Sequence, residues 1–180
     1  MTQYVALLHS IVLSPGQRVV MEKLRATAES VGGRSVRTLA STGNLVFEAD
    51  DADIRDVENR LEAAFERDFG KAVDIVTRTG EQWRALAAGN PFPEASQING
   101  QNVGIRVMRQ PLDPGVLEKL ERYCTAGEKV AVVDGDLWMD FAAKPSATKL
   151  LPALTTKRMG VGTLRNWNTV RNLAAMLDAG

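Results

Sequence analysis

The residues best suited to binding chemistry lie in the run Gly160-Val161-Gly162-Thr163-Leu164-Arg165-Asn166-Trp167-Asn168-Thr169-Val170. Two glycines precede an arginine at what the spacing predicts to be the start of the last helix. Glycines feeding a helix N-terminus leave backbone N–H groups open to an anion. Lys157 and Arg158 add positive charge nearby. The pattern predicts a phosphate or carboxylate ligand held by Arg165, Asn168, Gly160, Gly162 and Thr163. A plainer reading gives the same residues to architecture. Gly160 then caps the preceding helix, Gly162 relieves a tight turn and Arg165 pairs with a surface acid.

A second polar cluster is Thr38, Ser41, Thr42 and Asn44, in a hairpin expected beside the end of the first strand. It would share that place with His9 and Ser10, which makes His9 and Asn44 further candidate ligand contacts. Ser41, Thr42 and Asn44 also have turn chemistry that needs no function to explain it. The chain has a single histidine. An enzyme acting on a phosphorylated metabolite would need His9 or a carboxylate as its base. The acid pairs Asp50/Asp51 and Asp134/Asp136 fall at expected caps and turns.

Composition limits the classes. The 180 residues suffice for one large domain or two small ones, and Lys+Arg equals Asp+Glu at 22 each. A broad nucleic-acid or anionic-membrane surface would need a basic excess. One cysteine, Cys124, and one histidine cannot build a Cys/His zinc site. No phosphate-binding Gly-Lys loop, nucleophile elbow or metal-binding His pair occurs. The sequence therefore predicts no cofactor, metal, nucleic acid or membrane. The apolar run Tyr4–Leu13 is too short to span a bilayer and lacks a basic leader, so a cytoplasmic protein is expected.

The elements that must position these residues follow from periodicity. Tyr4–Leu13 reads as a buried strand broken by Ser14-Pro15-Gly16, and Val20, Leu24, Ala28 and Val31 recur at helical spacing. Ser35–Ala40 and Leu45–Ala49 read as strands. A helix through Ile54, Val57, Leu61, Ala64 and Phe65 follows, then a strand at Ala72–Thr77. The order β-α-β-β-α-β is that of a ferredoxin-like plait over residues 1–78. Residues 79–100 read as a short helix with a capping box, then a linker containing Pro91 and Pro93. Over 101–180 come the strand Asn102–Met108, a helix after Asp113-Pro114, and strands Lys129–Val133 and Leu137–Ala142 joined at Asp134-Gly135. Two helical stretches follow, with Pro152 kinking or shifting the first. The prediction is an α+β fold whose second half is an incomplete plait ending in two helices. In the last helix, Leu164, Trp167, Val170, Leu173, Ala174 and Leu177 fall on one apolar side, and Asn166 falls among them.

Several segments resemble the domain-of-unknown-function 1697 family. They are Tyr4-Val5-Ala6-Leu7-Leu8, Met21 with Leu24-Arg25, Val36-Arg37-Thr38, Gly43-Asn44-Leu45-Val46-Phe47, and Thr163-Leu164-Arg165-Asn166-Trp167-Asn168-Thr169-Val170. The resemblance implies an α+β plait with a second α+β portion and carries no established activity. Where the family usually has Arg-Gly-Ile-Asn-Val-Gly after the first strand, this chain reads His9-Ser10-Ile11-Val12-Leu13-Ser14.

The expectation is a protein that binds a small anionic ligand in a cleft between its halves. The alternatives are an enzyme on a phosphorylated metabolite, or an interaction protein forming a homodimer.

Overall fold

A computed structural model describes residues 1–180. The chain divides into two compact units, Met1–Ala85 with Asn172–Gly180, and Leu86–Arg171. The break between Ala85 and Leu86 falls inside the 79–100 segment, and the end of the last helix belongs to the first unit.

Unit 1 begins with β1 (Thr2–Leu8), a short hairpin of β2 (Val12–Ser14) and β3 (Gln17–Arg18), and α1 (Met21–Glu29). The strands β4 (Arg34–Thr38) and β5 (Asn44–Ala49), then α2 (Ile54–Phe69) and β6 (Ile75–Thr79), complete its sheet. The sheet order is β4-β5-β1-β6, antiparallel throughout. The expected first strand ends at Leu8, because Val12–Ser14 pairs locally with Gln17–Arg18. Tyr4, Ala6, Leu8, Leu45, Phe47 and Ile75 meet Leu24 of α1 and Leu61 and Phe65 of α2 in one core. Helix α2 starts where Asp53 accepts the Arg55 N–H and stops at Gly70, whose φ of 73° suits a residue without Cβ. Thr79 and Gln82 form the expected capping box, with reciprocal bonds of 2.9 and 3.1 Å, and β6 runs straight into α3 (Gly80–Ala88).

Unit 2 places α4 (Pro93–Ile98) in the expected linker, then β7 (Val103–Met108), α5 (Val116–Glu121), β8 (Lys129–Val133) and β9 (Asp136–Asp140). The β8–β9 turn is the expected two-residue one. Asp134 and Gly135 have φ of 49° and 85°, as a type I′ turn requires. Next come α6 (Thr156–Met159), β10 (Gly162–Asn166) and α7 (Trp167–Ala179).

Two differences from the sequence reading matter. The expected helix over Ser146–Met159 is only two 3-10 turns, Pro145–Ala147 and Leu151–Ala153, and the four-residue α6. Pro152, inside the expected helix, removes an N–H from the ladder and clashes with the preceding turn, so no continuous helix forms. The second sheet is also complete. Gly162–Asn166 is a fourth strand paired with β7, so the order is β10-β7-β9-β8. Edge pairing along β7 overrides the local helical spacing, and Leu164 stays 37% exposed. Helix α7 begins at Trp167 and buries Val170, Leu173 and Leu177, three of the six residues expected on its inner side.

Candidate functional site

The two sheets have the same strand order relative to the chain, but their connections differ. Between its third and fourth strands unit 1 has the 16-residue α2. At the same point unit 2 has only the 3-10 turns and α6. Less helix is therefore available to cover that part of the unit. Between α5 and α6 lies an open groove of about 720 Å³, lined by eight residues between Leu112 and Tyr123 and by Ala153, Arg158 and Met159. Its size falls within the range of small-molecule sites.

The groove has an apolar floor and a cationic rim. Leu112, Val116, Leu120, Ala153 and Met159 supply the floor; Lys119, Arg122 and Arg158 supply the charge. Lys119, Arg122 and Tyr123 share one side of the chain by their spacing of three and four residues. Thr155 caps α6, its hydroxyl accepting the Arg158 N–H at 3.3 Å. The Arg158 Nη1 donates to the Tyr123 hydroxyl at 3.1 Å. A phenol that accepts from Arg158 keeps its own proton to donate. Arg122 lies 5.5 Å from the Tyr123 ring centre and donates Nε to the Lys119 carbonyl at 3.1 Å. None of the three cations forms an ion pair. The one acid on the lining, Asp113, accepts the Gly115 N–H at 2.7 Å. Cys124 follows Tyr123, and burial with Glu128 and Glu121 pushes its thiol up. It stays protonated at neutral pH and is unsuited to nucleophilic attack.

The residues singled out in the sequence fall in two places. Gly160, Gly162, Thr163, Arg165 and Asn168 lie in unit 2; His9 and Asn44 lie in unit 1. Gly160 has φ of 86° and its N–H closes α6 on the Thr156 carbonyl at 2.8 Å. Its carbonyl accepts from the Arg106 Nη2 at 3.0 Å. Gly162 sits opposite Met108, where an added Cβ would come within 2.7 Å of the Met108 sulfur. The turn thus offers a carbonyl to a cation.

Arg165 is half-buried on β10 and outside any helix, so it meets no helix dipole in a first turn. Its Nη1 donates to the Thr163 hydroxyl at 2.7 Å and the Leu164 carbonyl at 2.9 Å. Burial pulls its pKa down to about 10, which leaves it cationic at neutral pH. Asn168 packs beside Gly100, where a Cβ would lie 2.2 Å from its Oδ1. Asn166 caps α7 rather than lying buried within it: its Oδ1 accepts the Thr169 N–H at 3.0 Å. Asn166→Ala should lower stability by about 1 kcal/mol in urea unfolding, and Asn166→Asp by much less.

In unit 1 the hairpin turn does adjoin the end of β1, through a Leu8 N–H bond to the Gly43 carbonyl of 2.9 Å. Asn44 is fully buried and gives its amide to the Leu39 carbonyl and the Thr42 hydroxyl. His9 is exposed just past the strand.

Two four-stranded antiparallel sheets, one per unit, with helices in their connections define an α+β protein. The family model described as "Protein of unknown function (DUF1697)" matches residues 1–138, and the chain belongs to that family. The match includes α5 and Tyr123 but ends before α6 and β10. The conserved bacterial protein SP0830 from Streptococcus pneumoniae has a similar structure, with a TM-score of 0.74 over 99% of each chain. The two are 21% identical, so the likeness is one of fold. No curated protein matches the chain. No helix is long and apolar enough to cross a membrane.

Proposed function

We propose that the protein binds a small amphipathic anion in the α5–α6 groove of unit 2. The ligand has an apolar body and a phosphate or carboxylate head. The carrying observation is the set of three cations without ion pairs around an apolar floor. Arg158 and Tyr123 provide adjacent donors for the head group, and charge-assisted bonds of this kind are the strong ones. Lys119 and Arg122 attract the anion from the rim. Leu112, Val116 and Met159 take up the body. The reading keeps the ligand chemistry expected from the sequence and moves its contacts from Arg165 to Arg158.

Titration calorimetry with octyl phosphate, octanol and inorganic phosphate tests this. Octyl phosphate should bind at least about tenfold more tightly than either fragment, a difference of about 1.4 kcal/mol. Its affinity should fall with added salt, because the rim cations are exposed. Equal affinities, or no heat with any of the three, would contradict the proposal.

A further inference from the structure

Arg106 lies on β7, below the turn that leaves α6. It is only 5% exposed. Its Nη2 holds the Gly160 carbonyl, and its buried Nε has no acceptor. No carboxylate forms an ion pair with it. Its cross-strand neighbours are Leu137 and Leu164, both apolar. Gly162 leaves it room, since a Cβ there would sit 3.1 Å from Nε. Burial alone lowers its pKa.

Packing gives no reason for a guanidinium at this place. A buried charge without a counter-charge is a cost that an apolar side chain of similar size avoids. Such groups concentrate at functional sites, where the compensating charge arrives with the ligand. The Gly160 carbonyl ties Arg106 to the groove, because the two residues before it, Arg158 and Met159, line that groove.

We propose that Arg106 is a positioning residue for anion binding in the groove. It fixes the end of α6, and with it Arg158, through the Gly160 carbonyl, and its uncompensated charge raises the positive potential behind the groove wall. This inference rests on the groove reading above. Gly160 is exposed, so water can replace the lost hydrogen bond when Arg106 is changed.

The test compares the parent, Arg106→Met, Arg106→Lys and Arg158→Ala. Each is titrated with octyl phosphate at several salt concentrations and melted without ligand. Arg106→Met should bind about tenfold more weakly and with a shallower salt dependence. Its ligand-free Tm should equal or exceed that of the parent. Arg106→Lys should recover part of the affinity, because it restores charge without the planar fork. An Arg106→Met protein that loses affinity and Tm together, with no recovery in Arg106→Lys, would make the residue merely structural and overturn the inference. Normal binding by Arg106→Met beside weak binding by Arg158→Ala would remove Arg106 and leave the groove standing. A parent that binds no octyl phosphate would remove both.

Discussion

Arg158→Ala should weaken octyl phosphate binding by about 30-fold, close to 2 kcal/mol, while the Tm of the free protein stays within a degree or two. The binding loss is large because Arg158 combines charge and direction. Its donors face the groove beside the Tyr123 hydroxyl, 3.1 Å away. A bond to a charged partner contributes about 1.5–3 kcal/mol. The stability loss is small because Arg158 is exposed and ion-pairs with nothing. Tyr123→Phe isolates the hydroxyl: it keeps the ring under Arg122 and removes one donor. Its affinity should fall by only about three- to tenfold, the effect of one neutral hydrogen bond. The double variant should lose less than the sum of the two, since the pair orients one head group. Calorimetry of the three variants measures this coupling. Independent losses of equal size would mean that the two side chains do not act on the same group.

Trp138→Ala should have the opposite profile, a large loss of stability. Trp138 is 1% exposed in β9, an inner strand of the second sheet. It pairs across with Ile105 and Ala131, and its ring centre lies 6.1 Å from that of Trp167. Truncating a buried tryptophan costs about 3–5 kcal/mol, from lost transfer energy and the cavity left behind. In a chain of this length that corresponds to a Tm fall of roughly 6–20 °C. Trp138→Phe should recover more than half of the loss. A Tm within two degrees of the parent would show that the site collapses without a cavity. The order of effects between this variant and Arg158→Ala separates core from groove.

The sequence made unit 1 readable because its signals are local and agree. Leu24, Leu61 and Phe65 keep helical spacing, Gly70 marks a helix end, and Thr79 with Gln82 spells a capping box. Asp134-Gly135 gave the β8–β9 turn for the same reason. The fourth strand of unit 2 was not readable. Leu164, Trp167 and Val170 fit a helical wheel, and only the unpaired edge of β7 makes Gly162–Asn166 extended. That edge is defined by residues some fifty positions away. Asn166 was visible as an oddity on the apolar side, and its place as a cap resolves it.

The groove had weaker signals of its own. Pro152 forbids a long unbroken helix before β10. Lys119, Arg122 and Tyr123 lie at three- and four-residue spacing. Neither pattern points to a site until the two are brought together around one hollow, which local spacing cannot do. Arg106 was hidden differently. An arginine in a strand between Ile105 and Val107 reads as an outward-facing residue, because alternation gives it the polar face. Its guanidinium is buried against the Gly160–Gly162 turn, which lies far from it in sequence.

Amide chemical-shift mapping during an octyl phosphate titration locates the bound anion residue by residue. Saturable shifts should concentrate in residues 112–123 and 153–160, with the largest at Tyr123 and Arg158. Shifts centred instead on Thr163, Arg165 and Asn168, or spread evenly over the chain, would contradict binding in the groove.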